Sequence, residues 1–197
     1  MNEFTLNYWY KLKMLSATKW IIILCLVYFA VTQLLLSRYG DLETLLILGA
    51  NNRSLVMNGE VWRLVAALFL HANLLHILFN MYALYSIGEE IEYVFGTKKF
   101  LIVYFVSGIL SNLSSVVFSN NISVGASGAI FGLLGFLLYK KWKERDLMLY
   151  GQSLNIDMKA LIMVIGINIF FGLSVPGIDN YAHIGGLVSG FLLGIFI

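Results

Sequence analysis

Long uncharged apolar runs alternate along this chain with short segments that carry its charged residues. A helix needs about 20 mainly apolar residues to cross a bilayer, and the runs approach that length. A polar stretch at residues 119–123 divides the charge-free region 100–139 into two runs. The pattern therefore predicts an all-α polytopic membrane protein with six transmembrane helices, over residues 20–37, 64–88, 100–118, 124–139, 160–178 and 180–197.

The connection between the first two runs, residues 38–63, is long and contains an apolar stretch at 44–50 that is too short to span a bilayer. We expect a first outer loop that is partly embedded in the membrane or lies at its interface. A small cap packed on the outer ends of the helices is the alternative, and both stay open. Residues 1–19 are predicted to form a cytoplasmic or interfacial segment, and residues 20–197 the six-helix core.

Composition supports the membrane class. Hydrophobic residues make up 59% of the 197 residues and charged residues only 12%, far from the balance of a soluble domain. The net charge of +2 is too small to indicate nucleic-acid binding. The single cysteine, Cys25, excludes an internal disulfide and is expected to be a small apolar residue of the first helix. The lipid bilayer is therefore the expected surrounding, and nucleic acid is not an expected partner.

The positions of the lysines indicate the orientation. With six spans, all nine fall in segments on one side of the membrane, and these are Lys11, Lys13, Lys19, Lys98, Lys99, Lys140, Lys141, Lys143 and Lys159. Arg145 lies with them, and only Arg38, Arg53 and Arg63 fall on the other side. Cytoplasmic loops carry the excess of positive charge, so both termini are predicted to be cytoplasmic.

Two residues with complementary chemistry open predicted helices that enter the membrane from the same side. Ser127 lies in the sequence GASG at the head of the fourth run, and His183 lies in NYAH at the head of the sixth. Alternate helices share a direction, so both residues are expected at a similar shallow depth. A serine hydroxyl becomes an effective nucleophile when a neutral histidine accepts its proton. Intramembrane proteolysis is therefore the leading interpretation.

The second run adds His71, His76 and Asn80. If Asn73 caps this helix, His76 and Asn80 lie one turn apart on the same face. A tetrahedral oxyanion needs fixed hydrogen-bond donors, which His76, the Asn80 amide and the Ser127 backbone N–H can supply. His71 is expected to bind water or to buttress the site, and a purely structural role is equally open.

Glycines accompany the two reactive residues. Gly125 and Gly128 give the backbone around Ser127 the freedom to expose its hydroxyl at a helix start. Gly186 begins a G-x3-G pattern in the sixth run, and Gly128 begins a second one in the fourth. Small residues at this spacing let two helix backbones approach closely. We expect this approach to bring Ser127 and His183 within hydrogen-bond distance.

Other chemistries fit the sequence poorly. The HExxH pattern of a zinc protease does not occur, and none of the four aspartates lies inside a predicted span, as an aspartyl protease would need. No span carries a charge at its middle, which disfavours a transporter. No metal and no other cofactor is expected. Asp179 is expected to cap the sixth helix, although a third member of a catalytic triad is the alternative. Packing roles alone for Ser127 and His183 are disfavoured by the whole set.

Several motifs occur in one order along the chain: WR at residues 62–63, HxxxxHxxxN at 71–80, ExxxG at 92–96, GxSG at 125–128 and DNYAHxGGxxxG at 179–190. In these residues the chain resembles the rhomboid family of intramembrane serine proteases, from about residue 60 to the end. Family members often carry a tyrosine one turn after the serine, which stacks on the catalytic histidine. Here Phe131 can stack but has no hydroxyl.

The resemblance implies a rhomboid bundle of six helices, a dyad of Ser127 and His183, and an oxyanion site that involves His76 and Asn80. It also implies a minimal bacterial form in the inner membrane, with an active site that opens toward the outer side. Its substrates would be transmembrane segments of other membrane proteins. The alternative is a non-catalytic rhomboid-like protein that binds and escorts transmembrane helices, and the presence of both Ser127 and His183 argues against it. The sequence does not indicate the substrate or the oligomeric state.

Overall fold

The computed structural model describes residues 15–143, 157–175 and 177–197. Most of the predicted segment 1–19, with Lys11 and Lys13, lies outside the described residues, and so does Arg145. The described part of the chain is built from nine helices: α1 (Ala17–Tyr39), α2 (Asp41–Ile47), α3 (Arg53–Met57), α4 (Arg63–Ala66), α5 (Leu74–Phe95), α6 (Thr97–Phe118), α7 (Ser127–Trp142), α8 (Met158–Ser174) and α9 (Asn180–Phe196).

Side-chain caps determine where four of the long helices begin. Ser16, Asn73, Asp157 and Asp179 stand before α1, α5, α8 and α9, and each accepts a hydrogen bond from a backbone N–H of the first turn. Such a bond satisfies a donor that the helix itself leaves unpaired. The caps that the sequence predicts at Asn73 and Asp179 are confirmed.

The apolar run 64–88 does not form one continuous helix. Its first residues belong to the short helix α4, and an irregular stretch then leads to the Asn73 cap. Helix α5 continues beyond the run to Phe95 and so includes acidic residues near its end. Gly96, with a φ of 85°, separates α5 from α6. The cap and this glycine, rather than the limits of the uncharged run, therefore set the bounds of α5.

Among the helices of the described residues, two are long and apolar enough to cross a membrane by length and composition, namely α1 with 23 residues and α6 with 22. Helices α8 and α9 are apolar but shorter. The count of six transmembrane helices stays a prediction.

Helix α7 lies at the centre of the molecule. Its residues 128–137 are all buried, and it packs on α5, α6, α8 and α9. In contrast, α1, α5 and α8 expose large apolar side chains such as Leu34, Phe79 and Leu173. Exposed apolar surface on this scale is typical of a surface that contacts another apolar phase. The helix that begins with Ser127 is thus the most enclosed one in the bundle.

The connection between α1 and α4 is folded around Arg63. The Arg63 side chain is buried, donates to the carbonyls of Leu46 and Ala50 at 2.7 and 3.1 Å, and pairs with Glu60 at 2.7 Å. Tyr28 of α1 donates to the Leu48 carbonyl. These bonds hold the connection against the bundle, while its depth in the membrane stays a prediction.

Candidate active site

Ser127 and His183 meet at one end of the bundle. Ser127 is the first residue of α7, and His183 lies in the first turn of α9. The distance between Ser127 Oγ and His183 Nε2 is 2.9 Å, which is that of a hydrogen bond. His183 is buried and Ser127 is partly buried. A neutral imidazole in this position can accept the serine proton.

Glycines set the separation between α7 and α9. A β-carbon on Gly186 would overlap the carbonyl oxygen of Gly128, and one on Gly190 would overlap the carbonyl oxygen of Gly132. The two helices therefore touch through main-chain atoms. This close approach brings the first turns of both helices together, and with them Ser127 and His183.

One face of the His183 ring is covered by an aromatic ring. Phe131 stacks on it, with ring centroids 4.4 Å apart and an angle of 15° between the planes. Asp179 caps α9 by accepting from the Ala182 N–H at 3.1 Å. Within the described residues, His183 Nδ1 has no hydrogen-bond partner. The imidazole is thus oriented by ring stacking and by its helix, without a carboxylate bonded to it.

His76 lies beside the turn that leads into α7, and Asn80 follows one turn later in α5. Asn80 Nδ2 donates to the His76 carbonyl at 2.8 Å, and its Oδ1 is buried without a partner in the described residues. The His76 ring fills the space next to Gly125, where an added β-carbon would come within 2.6 Å of Nε2. Gly125 has a φ of 119°, so a side chain there would also strain the backbone.

His71 lies behind His76. The two rings are 5.1 Å apart in an edge-to-face arrangement, and His71 is fully buried. Its Nδ1 is 3.2 Å from the Phe69 carbonyl oxygen, and its Nε2 has no partner among the described residues. The ring is therefore placed to support His76. Among the described residues, no group of three or more His, Cys, Asp or Glu side chains is arranged to hold a metal ion.

The structure adds polar residues of α6 that the sequence analysis did not single out. A β-carbon on Gly128 would overlap the Ser111 hydroxyl, so Ser111 packs directly against the start of α7. Asn112 is buried and donates to the Leu64 carbonyl at 2.9 Å. The available clue in the sequence is a polar side chain inside the apolar run 100–118. Asn112 shares that clue with four serines, so it does not single out Ser111.

A model of the Rhomboid domain matches residues 58–197. The chain belongs to the rhomboid family. It is 45% identical over 149 residues to the rhomboid protease GluP of Bacillus subtilis, an alignment that covers 76% of this chain and 28% of that protein. It is 42% identical to RHOMBOID-like protein 1 of Arabidopsis thaliana, over 77% of this chain and 38% of that protein. It is 40% identical to rhomboid-like protease 2 of Toxoplasma gondii, over 79% and 54%.

The alignments thus span between about a quarter and about half of these relatives, which are longer than this chain. Two of the three carry the name protease. Membership of the rhomboid family implies an integral membrane protein related to intramembrane proteases. The residues Ser127 and His183 both lie in the matched region.

Proposed function

We propose that this chain is an intramembrane serine endopeptidase that cleaves transmembrane segments of other membrane proteins with a dyad of Ser127 and His183. The observation that carries the proposal is the 2.9 Å separation of Ser127 Oγ and His183 Nε2 in a buried setting. Membership of the rhomboid family supports the same reaction class. A carboxylate is not needed, because Phe131 holds the imidazole by stacking.

The first half of the reaction transfers the acyl group to the enzyme. His183 Nε2 takes the proton of Ser127 Oγ, and Oγ attacks the carbonyl carbon of the scissile peptide bond. The tetrahedral intermediate collapses when the C–N bond breaks, and the imidazolium gives its proton to the departing amine. The product of this half is an ester between Ser127 and the N-terminal part of the substrate.

The second half restores the serine. His183 takes a proton from a water molecule, and the resulting hydroxide oxygen attacks the ester carbonyl. The imidazolium then returns the proton to Ser127 Oγ as the C–O bond breaks. Each intermediate carries a negative oxygen, for which we assign the Ser127 backbone N–H, His76 Nε2 and the Asn80 amide as donors. Gly125 lets His76 approach, and His71 supports the His76 ring.

The proposed topology has six transmembrane helices with both termini in the cytoplasm. In this orientation the start of α7 and the start of α9 face the outer side of a bacterial inner membrane, where a transmembrane substrate would be cut close to the membrane face. The excess of lysines in the predicted cytoplasmic segments supports it.

A serine-reactive fluorophosphonate probe tests the nucleophile directly. We expect the probe to label the purified wild type and to leave Ser127→Ala unlabelled, while a type I single-span substrate in liposomes is cut only by the wild type. Ser86→Ala is the matched control, because this exposed hydroxyl donates only to the Tyr82 carbonyl of its own helix. Equal labelling of wild type and Ser127→Ala would refute the proposal. Substrate binding without labelling or cleavage would favour the non-catalytic alternative.

A further inference from the structure

The segment that leads into Ser127 is fixed by a region far away in sequence. Ser123 and Asn51 form an antiparallel bridge in which each backbone N–H donates to the other residue's carbonyl, both at 2.9 Å. Two residues later the Gly125 N–H donates to the Ala67 carbonyl, also at 2.9 Å. Helix α7 then begins at Ser127. The approach to the serine is therefore held from the α1–α4 connection and from the stretch after α4.

Asn51 is itself held by its side chain. The residue is 1% exposed, and its Nδ2 donates to the Asn112 carbonyl of α6 at 3.0 Å. Asn112 in turn donates from its own Nδ2 to the Leu64 carbonyl at 2.9 Å. The preceding carbonyl, that of Ala50, accepts from Arg63. A buried amide bonded in this way leaves the Asn51 backbone little freedom, because losing the bond would leave polar groups unpaired.

The bridge acts on the atoms of the proposed chemistry through a short path. Gly125 lies between the bridge and Ser127, and its α-carbon is packed against the His76 ring. A shift of residues 123–125 would therefore move the Ser127 backbone N–H relative to His76. It would also rotate Oγ relative to His183 Nε2. Both displacements affect the transition state more than substrate binding.

We propose that Asn51 is a positioning residue for Ser127. Its side-chain hydrogen bond to α6 fixes the Asn51–Ser123 bridge, and the bridge sets the place of the serine hydroxyl and of the Ser127 backbone N–H. The inference rests on the proposed function, since it assigns a role in the reaction of Ser127. The bridge also couples the rate of the reaction to the α1–α4 connection, which carries none of the proposed catalytic groups.

Two substitutions remove the side-chain bond while the backbone bridge keeps its partners. Asn51→Ala deletes the amide, and Asn51→Leu replaces it with an apolar group of similar size. We expect each to lower kcat by about 10- to 100-fold and to change KM by less than about twofold, because an error of position near 1 Å can cost about 10²-fold. Asn52→Ala is the matched control. Asn52 is the next amide along the chain, and its side chain only accepts from the Leu55 N–H to cap α3.

Fluorophosphonate labelling of the full chain separates positioning from folding. The fraction of chains labelled at saturation counts folded sites, and the second-order rate constant reports their geometry. We expect Asn51→Ala and Asn51→Leu to keep the wild-type fraction and to lose at least about tenfold in rate constant, with Asn52→Ala at wild-type values. Hydrogen exchange in a peptide covering residues 119–131 should be faster in the two Asn51 variants alone.

Three results would overturn the inference. A wild-type rate constant in both Asn51 variants would remove the role of Asn51 and leave Ser127 as the nucleophile. A lower labelled fraction with an unchanged rate constant would make Asn51 a folding residue only. A wild type that is not labelled at Ser127 would refute the proposed function and the inference together.

Discussion

Helix α5 carries a polar cluster at each end, and the two clusters differ in how completely they are bonded. Near its C-terminus, Glu92 accepts four hydrogen bonds at 2.8 to 2.9 Å, from the backbone N–H groups of Ala17 and Thr18 and from the hydroxyls of Thr18 and Thr97. This carboxylate joins the start of α1, the end of α5 and the start of α6. Both of its oxygens are used by the fold itself.

The cluster at the other end of α5 is left open. His71 Nε2, Asn80 Oδ1 and His183 Nδ1 are buried, and none has a hydrogen-bond partner within the described residues. A buried polar atom without a partner costs about 1–3 kcal/mol, so such atoms do not stabilise the fold. The bonded cluster therefore serves the fold, whereas the other contains residues of the proposed active site, with polar atoms that the fold does not use among the described residues.

The largest change in cleavage rate is expected when two polar side chains are removed from the candidate active site. The double variant His76→Ala, Asn80→Ala is expected to cleave a transmembrane substrate about 10²–10³-fold more slowly, the usual cost of lost oxyanion donors. Its loss of activity should far exceed its loss of stability, which comes from the cavity that the His76 ring leaves beside Gly125 and His71. Cleavage rates in liposomes and thermal unfolding in detergent measure both. A double variant that cleaves at the wild-type rate would leave only backbone amides to stabilise the oxyanion.

A substitution at the contact between α7 and α9 tests whether a change in helix spacing is enough to abolish activity. Gly186→Val would force α9 away from the Gly128 carbonyl and separate Ser127 from His183. We expect a loss of about 10²-fold in cleavage rate and of about 1–3 kcal/mol in stability. Gly166→Val is the control, since nothing lies within 4 Å of a β-carbon there. Full activity in a stable Gly186→Val protein would show that the spacing of α7 and α9 does not govern the site.

The opposite pattern is expected at the bonded end. Glu92→Gln replaces one of the two acceptor oxygens with an NH2 group, so two of the four donors lose their acceptor and the other two lose its charge. The expected cost is about 1.5–3 kcal/mol of stability, with an unchanged labelling rate for the chains that stay folded. Glu89→Gln should cost less than about 1 kcal/mol, because its ion pair with Lys19 is partly exposed and the amide oxygen can still accept from the Ser16 hydroxyl. A slower labelling rate in folded Glu92→Gln would mean that the two ends of α5 are coupled.

The smallest effect is expected at Asp179. An asparagine caps a helix about as well as an aspartate, so Asp179→Asn should keep stability and cleave within about threefold of the wild type. His183→Ala, assayed beside it with the same substrate, should lose nearly all activity. Similar losses in both variants would mean that Asp179 completes a catalytic triad.

Local sequence patterns were enough to predict the residues of the candidate active site. Helix periodicity and capping place His76 and Asn80 on one face after Asn73, and the shared direction of alternate helices puts Ser127 and His183 at one end. The hydrogen bonds of Glu92 were harder to predict, because its partners in α1 are more than 70 residues away in sequence. Asn51 was missed for the same reason, since no local pattern indicates its pairing with Ser123.

The uncharged run 64–88 and helix α5 have different limits for a physical reason. Hydropathy measures how well a segment tolerates lipid, whereas a helix begins and ends where backbone groups find caps. The uncharged run 64–88 therefore starts well before the helix at Leu74 and stops short of Phe95. Glycine contacts, by contrast, could be anticipated, because G-x3-G patterns in two neighbouring helices leave few other ways to pack.

The contact between main chains also has a consequence for how this protein can vary. Because carbonyl oxygens and α-carbons set the spacing of α7 and α9, side chains elsewhere on these helices do not determine it. The outward residues of α9, among them Ile184, Val188 and Leu192, are exposed and free of that constraint. Apolar substitutions at these positions should leave the spacing of α7 and α9 unchanged. The distance between the serine and the histidine should then stay the same while the outer surface of the helix changes.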